Sequence, residues 1–277
     1  MFKKVVITSR IDREDAVNLA DEIAKFLLKK GLTVAYETSL ASKLGKKEGV
    51  SLAEAEGDFV VVVGGDGTTL RVVHSINNRM PLFVVKVGRI GFFADVTPEE
   101  VFPALEKILE QKFIYDECFM LKTNINTPEA LNEVRVGTVI PQQMMEVSVF
   151  VEDLKIAEDR VDAIVVATPV GASAYALSAG ANIVDPRVES ILIVPICPLA
   201  ANFKPYIVPV NVTVSIKPKS RIDYTVLVDG HFQKTFNQPL DIRIWKSEKK
   251  TVFLRVRRNF YERLKRRLEV SSVGFNV

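Results

Sequence analysis

The chain is 277 residues long and 48% hydrophobic, enough to bury one large core or two of ordinary size, so it is globular. Its formal net charge is +3, and its two cysteines, Cys118 and Cys197, lie far apart at no metal-ligand spacing. Neither a disulfide framework nor a zinc site is implied, and a reducing, cytoplasmic setting is expected.

The opening MFKKVVITSR runs straight into a strand, with no apolar h-region or small-residue cleavage site behind its lysines, so no export is expected. Residues 12–30 place Ala16, Leu19, Ala20, Ile23, Phe26 and Leu27 at helical spacing, with Asp12 as N-cap and Gly31 as the stop. LTVAY, DFVVVV and LFVVKV follow as short apolar strands, and runs without strict alternation suit a parallel sheet covered on both faces. A helix carrying Val101, Leu105, Ile108 and Leu109 starts after Pro98. Residues 1–112 therefore read as an α/β domain of βαβ units.

Beyond Phe113 the character changes. VRVGTVI, MEVSVFVE, AIVVAT, ILIVPI, NVTVSI, DYTVLVDG and LDIRIW recur between turn residues, and EVSVFV and NVTVSI alternate as half-buried strands do. Residues 113–250 are read as a second, mainly antiparallel β domain, and 251–277 as a tail that returns to the first. The stretch from Ala163 to Val184 carries no charge, but Pro169, Gly171, Gly180 and several hydroxyl and amide residues make it a poor bilayer span. It reads better as a buried strand followed by a loop or helix lining a site. Lys249–Arg267 holds nine basic residues and one acid, giving +8 against −5 for the rest of the chain. Such a run can grip nucleic acid. The preferred reading is a terminal strand and helix packed on the protein's own acidic surface, with Phe253, Phe260, Tyr261 and Leu264 as its apolar face.

One loop asks for chemistry. DFVVVV delivers Gly64–Thr68, GGDGT, to the carboxyl end of a parallel strand, where open α/β sheets bind ligands. Gly64, Gly65 and Gly67 lack a Cβ, can take positive φ, and let backbone N–H groups approach a phosphate. A helix starting near Thr68 would add its partial positive charge. Asp66 repels a phosphate, so it makes sense if the other reactant is a hydroxyl whose proton must be accepted, with Mg²⁺ offsetting the crowded negative charge. The plain alternative is a tight turn with an Asx-type bond. The spacing is neither G-x-x-x-x-G-K-[ST] nor G-x-G-x-x-G, which excludes a P-loop and the standard dinucleotide fingerprint.

GGDGT resembles the signature shared by NAD kinases, diacylglycerol and sphingosine-type lipid kinases and, more distantly, phosphofructokinases. Four further segments in the same order decide among them: LNEVRV with Asn132 and Glu133, DAIVVATPVGASAYALSAG from Asp162, VPICP, and VDGH. Together they resemble the NAD kinase family. That resemblance implies an α/β domain with a parallel sheet followed by a β-sandwich-like domain. It also implies phosphoryl transfer from ATP or another donor to the 2′-hydroxyl of the adenosine ribose of NAD⁺.

By that resemblance Asp66 is the base, Gly67 closes over the ligand, and Gly64, Gly65 and Thr68 form the phosphate loop. Arg71 lies one helical turn on, within reach of phosphate. Asn132 and Glu133 hold the ribose and adenine side, while Arg160 and Asp162 lie near the nicotinamide end or form a surface ion pair. Thr168 and Pro169 end a strand, Gly171 permits a sharp turn, and Ser173, Ala174, Tyr175 and Ser178 begin a small-residue helix. Tyr175 can stack on adenine and Ser173 bond to it; ordinary core packing is the alternative. Val170, Ala176, Leu177 and His231 complete the implied dinucleotide contacts.

Several positions depart from the family pattern: Ala163 for Gly, Val170 for Thr, Ala172 for Ser, Ser173 for Thr, Leu199 for His, and His231 for Gln or Arg. These bear on fine specificity and leave Asp66 untouched. His74 reads as a helix-surface residue. The implied partners are NAD and ATP with a divalent metal, Mg²⁺, in a homodimer or homotetramer, with no nucleic acid and no membrane. A lipid kinase, or a non-catalytic dinucleotide-binding regulator, is the alternative.

Overall fold

A computed structural model describes residues 2–77, 80–88, 91–140, 143–219 and 222–273. The chain divides into two compact units, Met1–Glu117 with Thr251–Val277, and Cys118–Lys250.

The first unit contains β1 (Lys4–Ser9), α1 (Glu14–Lys29), β2 (Thr33–Tyr36), α2 (Thr38–Lys43), β3 (Phe59–Gly64), α3 (Asp66–Ser75), β4 (Leu82–Lys86) and α4 (Val101–Leu109). It also takes the start of β5 (Ile114–Thr123), the end of β15 (Ile242–Arg255) and α6 (Phe260–Val273). The sheet order is β2-β1-β3-β4, all parallel, with Phe253 of β15 beside Leu82. Val5, Ile7, Val61, Val63, Phe83 and Val85 pack against α1 and α4, while Val6, Val60, Val62 and Val84 are buried on the other face. A sheet covered on both sides needs apolar residues at every position, which explains the unalternating valine runs.

Helix α1 buries Ala16, Ala20, Ile23, Ala24 and Leu27 on one stripe. It starts at Glu14 with Arg13 in the N-cap position, so Asp12 is not the cap. The Asp12 carboxylate is instead gripped by the fork of Arg10, with both bonds at 2.7 Å, and Glu14 and Asp15 supply the acidic first turn. Gly31 does end the helix: its φ is +85°, and the Leu32 amide donates back to the Leu27 carbonyl in a Schellman closure. Helix α2 was not expected from the sequence. It is six residues long and is capped by Glu37, whose carboxylate accepts from the Ser39 and Leu40 amides, and glutamate is not among the usual capping residues.

The second unit contains β6 (Glu133–Thr138), β7 (Met145–Val151), β8 (Leu154–Val161), β9 (Ala163–Ala167), α5 (Tyr175–Ser178), β10 (Ser190–Ile196), β11 (Tyr206–Pro209), β12 (Val214–Pro218), β13 (Tyr224–Val228) and β14 (Phe232–Phe236). One antiparallel sheet runs β11-β10-β9-β6-β13-β14; in the other, β8, β7, β12 and the start of β15 pair in that order. Val134, Val136, Ile164, Val166 and Ile193 from the first sheet share a core with Val147, Val149, Val214, Ile216 and Ile244 from the second. Two sheets facing across one apolar layer make a β-sandwich.

The expected alternation in β7 and β12 is incomplete. Ser148 and Ser215 are buried, with their hydroxyls donating to Glu158 and Asp241 respectively. Strand β12 also starts at Val214, three residues into the expected run. The uncharged stretch from Ala163 becomes β9 followed by short turns. No helix among the described residues is long and apolar enough to cross a membrane.

The basic tail packs within the first unit. Phe253 and Leu264 are buried there, but Tyr261 is 61% exposed and so does not belong to its apolar face. The cations find acids of that unit: Arg255 pairs with Asp116 and Arg257 with Glu100.

Candidate active site

Strand β3 ends at Gly64, and α3 begins at Asp66, two residues earlier than expected. The loop is therefore a direct strand-to-helix junction. None of Gly64, Gly65 and Gly67 takes a positive φ, contrary to expectation. The glycine at 64 serves close approach: a Cβ there would stand 2.6 Å from Thr68 Oγ1. At Gly67, which is exposed, a Cβ would meet nothing within 4 Å, so the space above the first turn is open. First-turn amides of a helix have no intrahelical acceptor and attract anions.

Asp66 is held by the segment after β4. Its Oδ1 accepts from the Phe92 amide at 2.7 Å and the Phe93 amide at 3.0 Å, and its Oδ2 accepts from the Phe92 amide at 3.0 Å. Arg267 Nη1 of α6 lies 3.5 Å from Oδ2, with the Asp66 side chain 25% exposed. The carboxylate is thus fixed in direction yet reachable by solvent. Arg71 points back along the strand ends, donating to Thr8 Oγ1 at 3.0 Å and lying 3.9 Å from the buried carboxylate of Glu37. His74 is half-buried on α3.

In the second unit three separated motifs are tied into one knot. The Asp229 carboxylate accepts from the backbone amides of Leu131, Asn132 and Glu133 at 2.8, 2.8 and 3.0 Å. Asp229 itself has φ +49°, a conformation Asp tolerates better than most residues. Thr168 Oγ1 donates to the Leu131 carbonyl at 2.7 Å and accepts from the Gly171 amide at 3.0 Å. Gly171 is needed for contact with this segment, since a Cβ would lie 2.1 Å from the Asn132 carbonyl oxygen. Its φ is not positive, so the reason is steric and not a left-handed turn. Asn132 is 6% exposed, and its Oδ1 has no hydrogen-bond partner among the described residues. Glu133 is also buried.

The expected small-residue helix is two shorter pieces, a 3₁₀ turn at Gly171–Ser173 and the single turn of α5. Val170, Ala172 and Ala176 are buried, with Ala172 and Ala176 against Val165 and Ala167 of β9. Ser173 is buried and donates to the Val170 carbonyl at 2.8 Å, so towards a ligand its hydroxyl can only accept. Ala174 and Leu177 are half-buried, Ser178 is exposed, and Tyr175 is 43% exposed. Tyr175 rims a cleft of ≈ 460 Å³ whose walls include Arg135, Asp162, Thr225 and Gln233. Gly137 leaves room for the Arg135 side chain; a Cβ there would be 2.7 Å from the guanidinium. Arg160 is exposed and forms no ion pair with Asp162. His231 is exposed, with Nδ1 2.8 Å from the Asp229 carbonyl oxygen.

The geometry adds residues that sequence reasoning did not single out: the Phe92 and Phe93 amides, Arg267, Asp229 and Arg135. Asp229 stood in the VDGH motif and was legible as a position. The amides carry no side-chain signal, and Arg267 was hidden in a run of like charges.

The sequence matches two family models, the ATP-NAD kinase N-terminal domain over residues 5–113 and the ATP-NAD kinase C-terminal domain over residues 131–256. It is 34% identical to an NAD kinase of Methanothermobacter thermautotrophicus over 96% of both chains. With an NAD kinase of Thermococcus gammatolerans it shares 36% identity over 95% of this chain and 98% of the relative. Among solved structures it resembles an NAD kinase from Archaeoglobus fulgidus in complex with ATP, with TM-score 0.81 and 26% identity over 95% of this chain and 99% of that one. The fold is also that of a yeast NADH kinase complexed with NADH, with TM-score 0.84 and 21% identity over 99% and 88% of the two chains. The held carboxylate at the β3–α3 junction and the knotted motifs of the second unit thus belong to a chain matched by both family models and near full length by relatives: it is a member of the NAD kinase family.

Proposed function

We propose that the chain transfers the γ-phosphoryl group of ATP to the 2′-hydroxyl of the adenosine ribose of NAD⁺, giving NADP⁺ and ADP. The observation that carries this reading is the carboxylate of Asp66, oriented by the Phe92 and Phe93 amides at an open helix N-terminus. In the reaction the 2′-oxygen bonds to the γ-phosphorus, the bond from that phosphorus to ADP breaks, and the hydroxyl proton passes to Asp66. In a loose phosphoryl-transfer transition state positioning dominates, and a carboxylate fixed by two amides is suited to it.

On the dinucleotide side, Asn132 and Glu133 are assigned to the ribose and adenine, with the unpartnered Oδ1 of Asn132 as one acceptor for a ligand. Tyr175 offers an exposed ring for stacking and Ser173 an acceptor. Ala174, Leu177, Ser178 and His231 shape the same contacts, and Arg160 and Asp162 are assigned to the nicotinamide end. Gly67 leaves room for the ligand, and Gly64, Gly65 and Thr68 frame the phosphate loop. A phosphate contact from Arg71 requires it to leave Glu37.

Phosphoryl transfer of this kind uses a divalent cation. No group of three His, Cys, Asp or Glu side chains able to hold a metal occurs among the described residues. The donor set fits Mg²⁺ carried on the donor's phosphates, with Asp66 as the nearby carboxylate, since Mg²⁺ commonly takes one or two carboxylates beside phosphate oxygens. When bound, the ion screens the negative charge shared by phosphates and Asp66.

A homodimer or homotetramer built through the β unit is supported by the exposed Leu199, Tyr206 and Ile207 at and near edge strand β11. Two free cysteines suit a cytoplasmic setting. The test is to supply purified protein with Mg²⁺, ATP and NAD⁺ and read NADP⁺ through an NADP-specific dehydrogenase. NADP⁺ is expected; its absence with every nucleotide or polyphosphate donor overturns the reading.

A further inference from the structure

We infer that Arg255, the last residue of β15, is a positioning residue for the phosphoryl transfer: from inside the first unit it holds Phe93, and so fixes the amides that aim the Asp66 carboxylate. This rests on the proposed kinase reaction. The Phe92 and Phe93 amides that bond Asp66 stand on a segment belonging to no helix or strand. Sheet bonding resumes beyond them, where the Asp95 amide donates to the Val84 carbonyl and Val96 pairs with Val85. Side chains must therefore set where the two amides point.

Arg255 is 4% exposed, and a buried guanidinium persists only where its charge and its donors are met. An arginine serving as an ion pair alone commonly lays two prongs on one carboxylate. Arg255 splits its fork instead: Nε donates to Asp116 Oδ2 at 3.0 Å, and Nη1 donates to the Phe93 carbonyl oxygen. The Phe253 ring lies against the guanidinium, 4.5 Å from its carbon, and the same ring stacks on Phe93 with centroids 5.5 Å apart. One prong is thus anchored on β5, and the other holds the residue whose amide bonds Asp66 Oδ1 at 3.0 Å.

The rest of the tail secures the same segment. Asp95 is fully buried; its Oδ2 accepts from the Val256 amide at 2.9 Å, and its carbonyl accepts from the Asn259 side chain. Phe260 meets Phe92 edge-on at 5.8 Å, and the Arg263 guanidinium lies 5.5 Å from the centre of the Phe92 ring. Those contacts fix the two rings and the far end of the segment, while Arg255 bonds the backbone of the amide pair itself. A general base works only within hydrogen-bond reach of its proton, and a misplacement of about 1 Å can cost roughly 10²-fold in rate. Arg255 makes and breaks no bond in the transfer; it keeps the carboxylate where the 2′-hydroxyl proton must go.

Single-turnover formation of NADP⁺ from Mg²⁺–ATP and NAD⁺ on the full chain is the test. Wild-type protein that forms no NADP⁺ overturns the kinase reading and this inference with it; with an active wild type, the variants bear on Arg255 alone. Arg255→Lys keeps a charge for Asp116, but one ammonium cannot span both partners of the fork. It is expected to stay folded by circular dichroism and to lower the rate by about 10–10²-fold, while the dissociation constant for NAD⁺ by calorimetry stays within about twofold. Arg255→Met fills the space without a donor and is expected to lose at least as much. Arg257→Ala removes a like charge two residues along, from an exposed side chain paired with Glu100, and keeps the wild-type rate. Because Arg255 acts through Asp66, adding Arg255→Lys to Asp66→Asn is expected to lower the residual rate by no more than about twofold. A residue that only stabilises the fold would cost the same factor in both backgrounds. That result overturns the inference, as does a folded Arg255→Lys or Arg255→Met variant that turns over within about twofold of wild type.

Discussion

Asp229 satisfies three backbone amides that would otherwise be buried without acceptors. An orphaned buried donor costs about 1–3 kcal/mol, so Asp229→Ala is expected to destabilise the second unit by roughly 3 kcal/mol or more. At about 2–4 °C per kcal/mol for chains of this order of size, a thermal melt should fall by roughly 6–12 °C, and Asp229→Asn by less because its carbonyl still accepts. The motif pointed to this position, but its work did not show in the sequence. Its partners are 96 to 98 residues away and are backbone groups, which no residue type announces. The same holds for Asp66: the sequence placed the carboxylate at a strand end, whereas the amides that aim it come from Phe92 and Phe93. The sequence also read Ser173 as free to bond a ring, and the fold commits its proton to Val170.

At the scale of elements, strands were legible where burial is two-sided. The runs at β3, β4, β9 and β10 are dominated by β-branched residues because all their residues but Lys86 and Ile196 are buried. Strands β8, β11 and β14 escaped because they lie at sheet edges with half their residues wet, so LKIAEDRV or FQKTF carries no hydrophobic period. The glycines were legible as required but for the wrong reason at Gly64 and Gly171, where atoms approach closely and φ is ordinary. This distinction predicts different phenotypes. Gly171→Ala forces a methyl to 2.1 Å from a backbone carbonyl and should cost at least the 1–3 kcal/mol typical of overpacking, visible as a lowered Tm. Gly67→Ala meets open space, so its Tm should stay close to wild type while KM for the phosphate-bearing substrates rises. Differential scanning calorimetry beside kinetics checks both.

Across the whole molecule, the basic tail was read as self-packing, and three of its cations, Arg255, Arg257 and Arg267, meet Asp116, Glu100 and Asp66 of the first unit. The sequence could not say that one of them reaches the candidate base, since nine similar charges in a run look alike. At the other end of the chain Asp58 accepts from the Lys3 and Lys4 amides, and these bonds lower its pKa below the ordinary 3.8. Its folded pKa is depressed, so its contribution to stability is full above about pH 4 and is lost as pH falls through the folded value. In acid unfolding followed by circular dichroism, Asp58→Asn should therefore lower stability at pH 7, where the contribution is full, and flatten the limb below pH 4, where the wild type has lost it too. The claim on which the account turns is that Asp66 accepts the proton of the ribose hydroxyl. Asp66→Asn preserves shape and removes the base, so single-turnover formation of NADP⁺ should fall by at least about 10²-fold, as loss of a general base does, while NAD⁺ binding by calorimetry stays within about twofold. A variant that turns over near the wild-type rate would contradict the account.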